Sequence, residues 1–275
     1  MNQKKLFLLF FLFFFCKQLP AANIIFDMDG VLVTQKNPFW RIGPFKFVGL
    51  FNPIRIGDSF FDFLDSLLPG ERKDYVVHKG RVLPQIFCDW QKGLVNSEEI
   101  LGRISTKLQQ LSTAFDSKRK AKLLGAIAQL IFTPEQFIQI INPVKKGLKL
   151  LKKCYQQLDA QGNRVNKIFI LTNWDQSFSL LSDIPWARAF LELADGVLTS
   201  AQAGELKPSK AMFTYAFDYF GIDPDTELTI YIDDEITNIK AARALNKKQL
   251  KCIHCNNFDY VSVDKRLRRL LVYKK

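Results

Sequence analysis

The stretch Asn23-Ile24-Ile25-Phe26-Asp27-Met28-Asp29-Gly30 decides the fold. A short apolar run ends abruptly in two carboxylates one residue apart, followed by glycine. A strand buried on both faces of a parallel sheet reads this way, and its carboxyl end then presents the acids. Three similar runs lie downstream: Lys167-Ile168-Phe169-Ile170-Leu171, Gly196-Val197-Leu198 and Leu228-Thr229-Ile230-Tyr231-Ile232. Between them, apolar residues recur at helical spacing. Residues 144–160 carry Leu148, Leu151, Tyr155 and Leu158, and residues 235–245 carry Ile236, Ile239, Ala242 and Leu245. Residues 208–220 carry Met212, Phe213, Ala216, Phe217 and Phe220 behind Pro208, a residue favoured at the first helical position. Strands alternating with helices predict an α/β fold, a doubly wound parallel sheet that binds ligands beyond its strands' carboxyl ends.

The segment from Thr34 to Asn142 breaks this rhythm and is largely helical by pattern. Asn96-Ser97-Glu98-Glu99 is a helix start with an N-cap and acids in the first turn, and Leu123, Ile127, Leu130 and Ile131 mark a second helix. A helical insertion directly after the first strand would sit over that strand's end as a cap. The expected organisation is a signal segment over 1–22, an α/β core over 23–34 and 143–275, and a helical cap over 35–142.

Composition bounds the chemistry. The chain has 275 residues with ordinary globular hydrophobicity, 48%, which excludes wholesale disorder. It has two histidines, His78 and His254, so a site built from three imidazoles is excluded. Neither a Walker-type loop nor a Gly-x-Gly-x-x-Gly turn occurs. Lys4 and Lys5 precede an apolar run from Leu6 to Cys16, followed by Leu19-Pro20-Ala21-Ala22. The run is short for a membrane span, which needs about 20 residues, and fits an export signal, with an uncleaved anchor or a buried strand as the alternative. Export permits disulfides; whether Cys88 and Cys154 pair stays open. Cys252-Ile253-His254-Cys255 falls on an expected strand, where residues three apart face opposite ways, so strand packing is preferred to a metal or redox site.

The net charge of +12 invites a polyanion partner. Its distribution argues otherwise. Residues 1–21 hold three lysines and no acid, so the chain without them stands at +9. Residues 265–275 hold six cations and no acid, and setting these aside leaves +3. Nucleic acid is therefore not the expected partner. Membrane contact would come only through the signal segment or the basic tail, itself readable as a solvated terminus.

The acids carry the chemistry. Asp27 and Asp29 can approach one ligand, although Asp-x-Asp-Gly is also the composition of a tight turn. Asp233-Asp234 repeats the arrangement after Tyr231-Ile232, or else caps the helix that follows. Two acid pairs at the ends of two parallel strands would repel, and Mg²⁺, a hard dication that prefers oxygen ligands, would neutralise them. Thr172-Asn173 ends another strand, where it can cap a helix or face an anion. Lys207 precedes a helix, as a surface charge or as an anion ligand.

Phe26-Asp27-Met28-Asp29-Gly30, Leu171-Thr172-Asn173, Lys207-Pro208 and Ile232-Asp233-Asp234-Glu235 resemble, in order and spacing, the four motifs of the haloacid dehalogenase-like (HAD) hydrolase superfamily. The cap's position is similar to the C1-cap class, and Trp90-Gln91-Lys92-Gly93 with Ser97-Glu98-Glu99 looks like the sugar-phosphatase-like branch. The resemblance implies Asp27 as nucleophile, forming an aspartyl-phosphate, and Asp29 as the acid and then the base. It implies Mg²⁺ held by Asp27, the Asp29 carbonyl and Asp233 with Asp234 assisting. Thr172, Asn173 and Lys207 would bind the phosphoryl oxygens. The dehalogenase branch lacks an acid two residues after its nucleophile, so Asp29 makes the chain resemble a phosphatase. Trp174, bulky for the family, is expected to shape the pocket.

The expected activity is hydrolysis of a small phosphorylated metabolite by an exported Mg²⁺-dependent phosphomonoesterase. The alternatives are a nucleotide or polynucleotide-end phosphatase, a phosphomutase, and a catalytically silent HAD-like binding or effector module. Lys36 to Arg55, with five aromatics, four cations and no acid, is the expected specificity segment or else cap-to-core packing. Neither the substrate nor the oligomeric state follows from the sequence.

Overall fold

The computed structural model describes residues 21–35, 60–68, 76–78, 80–111 and 115–271. Most of the expected signal segment, the Lys36–Arg55 stretch and residues 272–275 of the basic tail lie outside them.

Nine strands are defined among these residues: β1 (Asn23–Phe26), β2 (Val33–Gln35), β3 (Val77–His78), β4 (Arg81–Val82), β5 (Ile141–Pro143), β6 (Lys167–Thr172), β7 (Gly196–Thr199), β8 (Thr229–Asp233) and β9 (Leu250–His254). Five of them form a parallel sheet in the order β7-β6-β1-β8-β9. β1 is central, with Phe26 level with Ile170 on one side and Ile232 on the other. Every residue of β1 is buried. The two-residue period then splits its side chains between two cores. Ile24 and Phe26 join Ile168, Ile170, Ile230 and Ile232 on one face. Ile25 joins Phe169, Leu171 and Tyr231 on the other.

Helices cover both faces. Eight are labelled: α1 (Gln85–Gln91), α2 (Ser97–Leu111), α3 (Phe115–Phe132), α4 (Lys145–Tyr155), α5 (Pro185–Leu191), α6 (Lys210–Phe220), α7 (Ile236–Arg243) and α8 (Tyr260–Leu270). α6 and α7 bury Met212, Phe213, Phe217 and Ile239 against the Ile25 face. α4 and α8 bury Leu150, Leu151, Val263 and Leu267 against the other, and this core runs on into the insertion through Ile100, Ile127 and Phe132. Gly147 in α4 permits that close packing: a Cβ there would lie 2.1 Å from the Val31 carbonyl oxygen.

Two helix boundaries differ from the sequence pattern. α4 ends at Tyr155 rather than at residue 160, because Asp159 accepts from the backbone N–H groups of Gln161 and Asn163 and closes a turn with Gly162 at φ +84°. Pro208 is outside α6; Ser209 caps that helix by accepting from Met212 N at 3.0 Å. The cap at Asn96 forms on α2, its Oδ1 accepting from Glu99 N at 2.8 Å.

The insertion leaves and rejoins the core through an antiparallel ribbon, β2 with β5, in which Val33 faces Pro143. Its described part comprises the β3–β4 hairpin and α1 to α3 with a helical turn over residues 60–65. Two polar contacts fix it over the sheet edge. His78 Nδ1 lies 3.1 Å from Glu235 Oε1 at the start of α7. Ser200 Oγ donates to the Gln91 carbonyl at 2.6 Å and accepts from Trp174 N at 2.9 Å. No disulfide joins Cys88, Cys154, Cys252 or Cys255. Burial pushes the Cys154 and Cys255 thiols up to about 12, which keeps them protonated and inert.

Candidate active site

Asp27 is the first residue past β1, and its N–H continues the ladder by donating to Ile232 O at 2.8 Å. The carboxylate therefore emerges between the ends of β6 and β8. Its Oδ1 accepts from Met28 N at 2.6 Å and lies 2.7 Å from Lys207 Nζ. Lys207 also reaches Asp233 Oδ2 at 2.9 Å and donates to Leu171 O at 3.1 Å, so each of its three protons has an acceptor. A fully buried ammonium is tolerable only when paired in this way. Asp233, at the end of β8, accepts further from Tyr231 Oη–H, Glu235 N at 2.7 Å and Asn238 Nδ2.

Asp234 completes the acidic group. Oxygens of Asp27, Asp233 and Asp234 all lie within 4.8 Å of one another. Gly30 leaves room for Asp234: a Cβ would stand 2.0 Å from Asp234 Oδ2, and the residue adopts φ +80°. Glycine is thus demanded twice over at this position.

Asp29 lies on the turn after β1 and lines the same cavity as Asp27; its Oδ2 accepts from Gln35 Nε2 of β2 at 3.3 Å. Thr172 ends β6, buried at the cavity floor. Asn173 also lines the cavity, but both ends of its amide grip the Lys207 backbone. Oδ1 accepts from Lys207 N at 2.8 Å and Nδ2 donates to Lys207 O at 2.9 Å. This clamp joins the β6 end to the Lys207 loop and sets where the ammonium starts. All seven residues singled out from the sequence, Asp27, Asp29, Thr172, Asn173, Lys207, Asp233 and Asp234, gather at this one sheet edge.

Charge crowding shapes the titration of the group. Burial pushes Asp27 well above the usual carboxylate range, Asp233 adds to this, and Lys207 only partly opposes it. Burial, with Asp233 and Asp29, raises Asp234 to about 7. For Lys207, burial works against the charge, but Asp233 and Asp27 outweigh it and hold the lysine above its ordinary value. The ammonium thus compensates only part of the negative charge, and the cluster has capacity for a further cation.

Several residues of the site escaped the sequence reading. Tyr231 read as strand packing; the two-residue period that places it on the Asp233 face was the signal for it. Asn238, on the first turn of α7, points back at Asp233. His254 pairs in register with Asp233, and its Nε2 meets Asp234 O at 2.8 Å. Above the acids the cavity, of about 330 Å³, rises into the insertion between Phe61, Phe87, Trp90, Ile131 and Phe137, with Trp174 closing one side.

A model of the haloacid dehalogenase-like hydrolases matches residues 22–246. No protein of curated function matches the sequence. Among solved structures, the chain is similar to a HAD-like family hydrolase from Porphyromonas gingivalis, with a TM-score of 0.54 at 18% identity over 90% of this chain and 98% of that one. It is likewise similar to a HAD family enzyme from Bacteroides thetaiotaomicron, an Asp-to-Ala mutant in complex with magnesium and inorganic phosphate. There the TM-score is 0.53 at 17% identity, covering 88% and 98% of the two chains. At these identities the likeness is one of fold.

Proposed function

The chain belongs to the haloacid dehalogenase-like hydrolase family, and from that premise we propose that it hydrolyses small phosphate monoesters with Mg²⁺, through a phosphorylated Asp27. The observation that carries the reading is Asp29, a second carboxylate opening on the same cavity as Asp27. Displacement at carbon by Asp27 alone has no use for it. Protonation of a leaving oxygen does.

The donor set suits the metal. Asp27, Asp233 and Asp234 offer only carboxylate oxygens, the ligand type that Mg²⁺ prefers, and the glycine at 30 keeps Asp234 within reach of the others. Bound there, Mg²⁺ would neutralise the carboxylates' repulsion and polarise the phosphoryl group. The remaining work falls to the chain. Lys207 and Met28 N fix the plane of the Asp27 carboxylate. Asp27 attacks phosphorus and forms the acyl phosphate, while the departing oxygen takes the proton of Asp29. Asp29, now ionised, removes a proton from water, which attacks phosphorus, releases inorganic phosphate and regenerates Asp27. Thr172 and Lys207 stand where the equatorial oxygens gather charge. The insertion excludes bulk water from the acyl phosphate. The basic-then-apolar start of the chain supports export of this activity.

The test is phosphate release from 4-nitrophenyl phosphate beside chloride release from 2-chloropropionate. The reading predicts phosphate release that needs added Mg²⁺ and no chloride. Chloride release without metal would replace it with dehalogenation.

A further inference from the structure

The cavity is built of two materials. Its floor is the acidic sheet edge. Its walls, among the described residues, include Phe61, Phe87, Trp90, Ile131, Phe137 and Trp174. The rings fall into two contact groups: Phe61 meets Phe87 edge-on at 6.0 Å and Phe87 meets Trp90 at 5.4 Å, while Phe137 meets Trp174 edge-on at 5.5 Å.

Among the described residues, several polar atoms around the cavity are engaged within the protein. Trp90 Nε1 donates to Ser97 Oγ at 3.3 Å and Trp174 Nε1 to Ser177 Oγ at 3.2 Å. Around the rim, Gln35 is bound to Asp29, His78 to Glu235 and Asp175 to Ser177. Gln91 differs: it lines the cavity, and its Oε1 is buried with no partner. A hexose phosphate would bring several hydroxyls into this chamber, and each one buried without a partner is costly. An apolar group would instead gain by leaving water and stacking on the rings.

Resting on the phosphomonoesterase reading, we infer that the leaving alcohol of the substrate is a compact apolar, ring-bearing group, recognised by burial among the aromatics that line the cavity. The assignment separates this chain from a sugar phosphatase on grounds of the aromatic lining rather than size.

The experiment compares 2-phenylethyl phosphate with glucose 6-phosphate, both esters of primary alcohols, so that leaving-group acidity does not decide the result. With the full chain and Mg²⁺, kcat/KM is expected to favour the phenylethyl ester by about tenfold to a hundredfold, the span that burying one large apolar group supplies. Phe61→Ser should erase most of that preference, read as the ratio of kcat/KM for the phenylethyl ester to that for glucose 6-phosphate. Equal or better turnover of glucose 6-phosphate would overturn the inference and leave the hydrolase reading standing. If no ester is hydrolysed, the hydrolase reading fails, and calorimetry with benzylphosphonate and methylphosphonate decides the inference by itself. Tighter binding of the benzyl compound by about tenfold or more supports it, and equal affinity refutes it.

Discussion

The floor and the walls line one cavity but are made by opposite rules. On the floor, polar groups cluster densely and nearly every polar atom is spoken for: Asp233 alone accepts from Lys207, Tyr231, Glu235 N and Asn238. On the walls, rings touch rings, and the polar tips of Trp90 and Trp174 are bound within the protein. The floor is built on strand ends, where a hydrogen-bonded ladder fixes each side chain. The walls come mostly from helices of the insertion, with Trp174 added from the loop after β6. Chemistry therefore sits on the rigid element and selection on the replaceable one, as general reasoning about sites on scaffolds leads one to expect.

Breaking the floor should have the largest effect. Asp27→Asn keeps the carboxylate's shape but removes the attacking charge, so phosphate release should fall by about a thousandfold or more, with thermal stability kept or raised. A fall of less than tenfold would shift the nucleophile elsewhere. Gly30→Ala comes next. It places a methyl group against Asp234 and forces alanine into a left-handed backbone conformation, so the chain should lose about 1–3 kcal/mol and bind Mg²⁺ more weakly. Unchanged melting and metal affinity would mean that Asp234 does not depend on that space.

The pH dependence of stability sharpens the contrast further. Asp27 and Asp234 have folded-state values raised above the unfolded one, to about 7 for Asp234. Between about pH 4 and pH 7 the folded state then holds more protons than the unfolded chain, so stability falls as pH rises through that window. Metal-free protein should melt several degrees lower at pH 8 than at pH 5, and added Mg²⁺ should remove the difference. A wall substitution such as Phe61→Ser should leave this profile unaltered. The smallest effect belongs to Ser200→Ala, which cuts the tie between Gln91 and the loop after β6 and should cost about 1 kcal/mol while raising KM more than it lowers kcat.

The same contrast explains what could be read in advance. Asp27, Thr172 and Asp234 each stand within a residue or so of a strand's end, and an apolar run that stops at an acid or a hydroxyl is a local signal. Lys207 was legible only beside the other motifs, because nothing in Leu206-Lys207-Pro208 says that the ammonium is buried. Asn173 was read as an anion ligand; its clamp on Lys207 depends on a contact across 34 positions, which spacing does not encode. The walls were the hardest part. Phe61, Phe87, Ile131 and Phe137 come from separate segments, and an apolar residue at helical spacing looks the same whether it faces a core or a cavity. Stretches of the insertion such as Lys36 to Arg55 carry sequence expectations that lie outside the described residues.

The central claim is that Asp27 becomes phosphorylated. Rapid acid quenching of a single turnover with ³²P-labelled phosphate ester and Mg²⁺, followed by peptide mapping, measures this directly. The account predicts a transient, base-labile label on the peptide that contains Asp27, formed before inorganic phosphate appears and missing in Asp27→Asn. Phosphate release with no protein-bound label at any time, or a label on another residue, would contradict it.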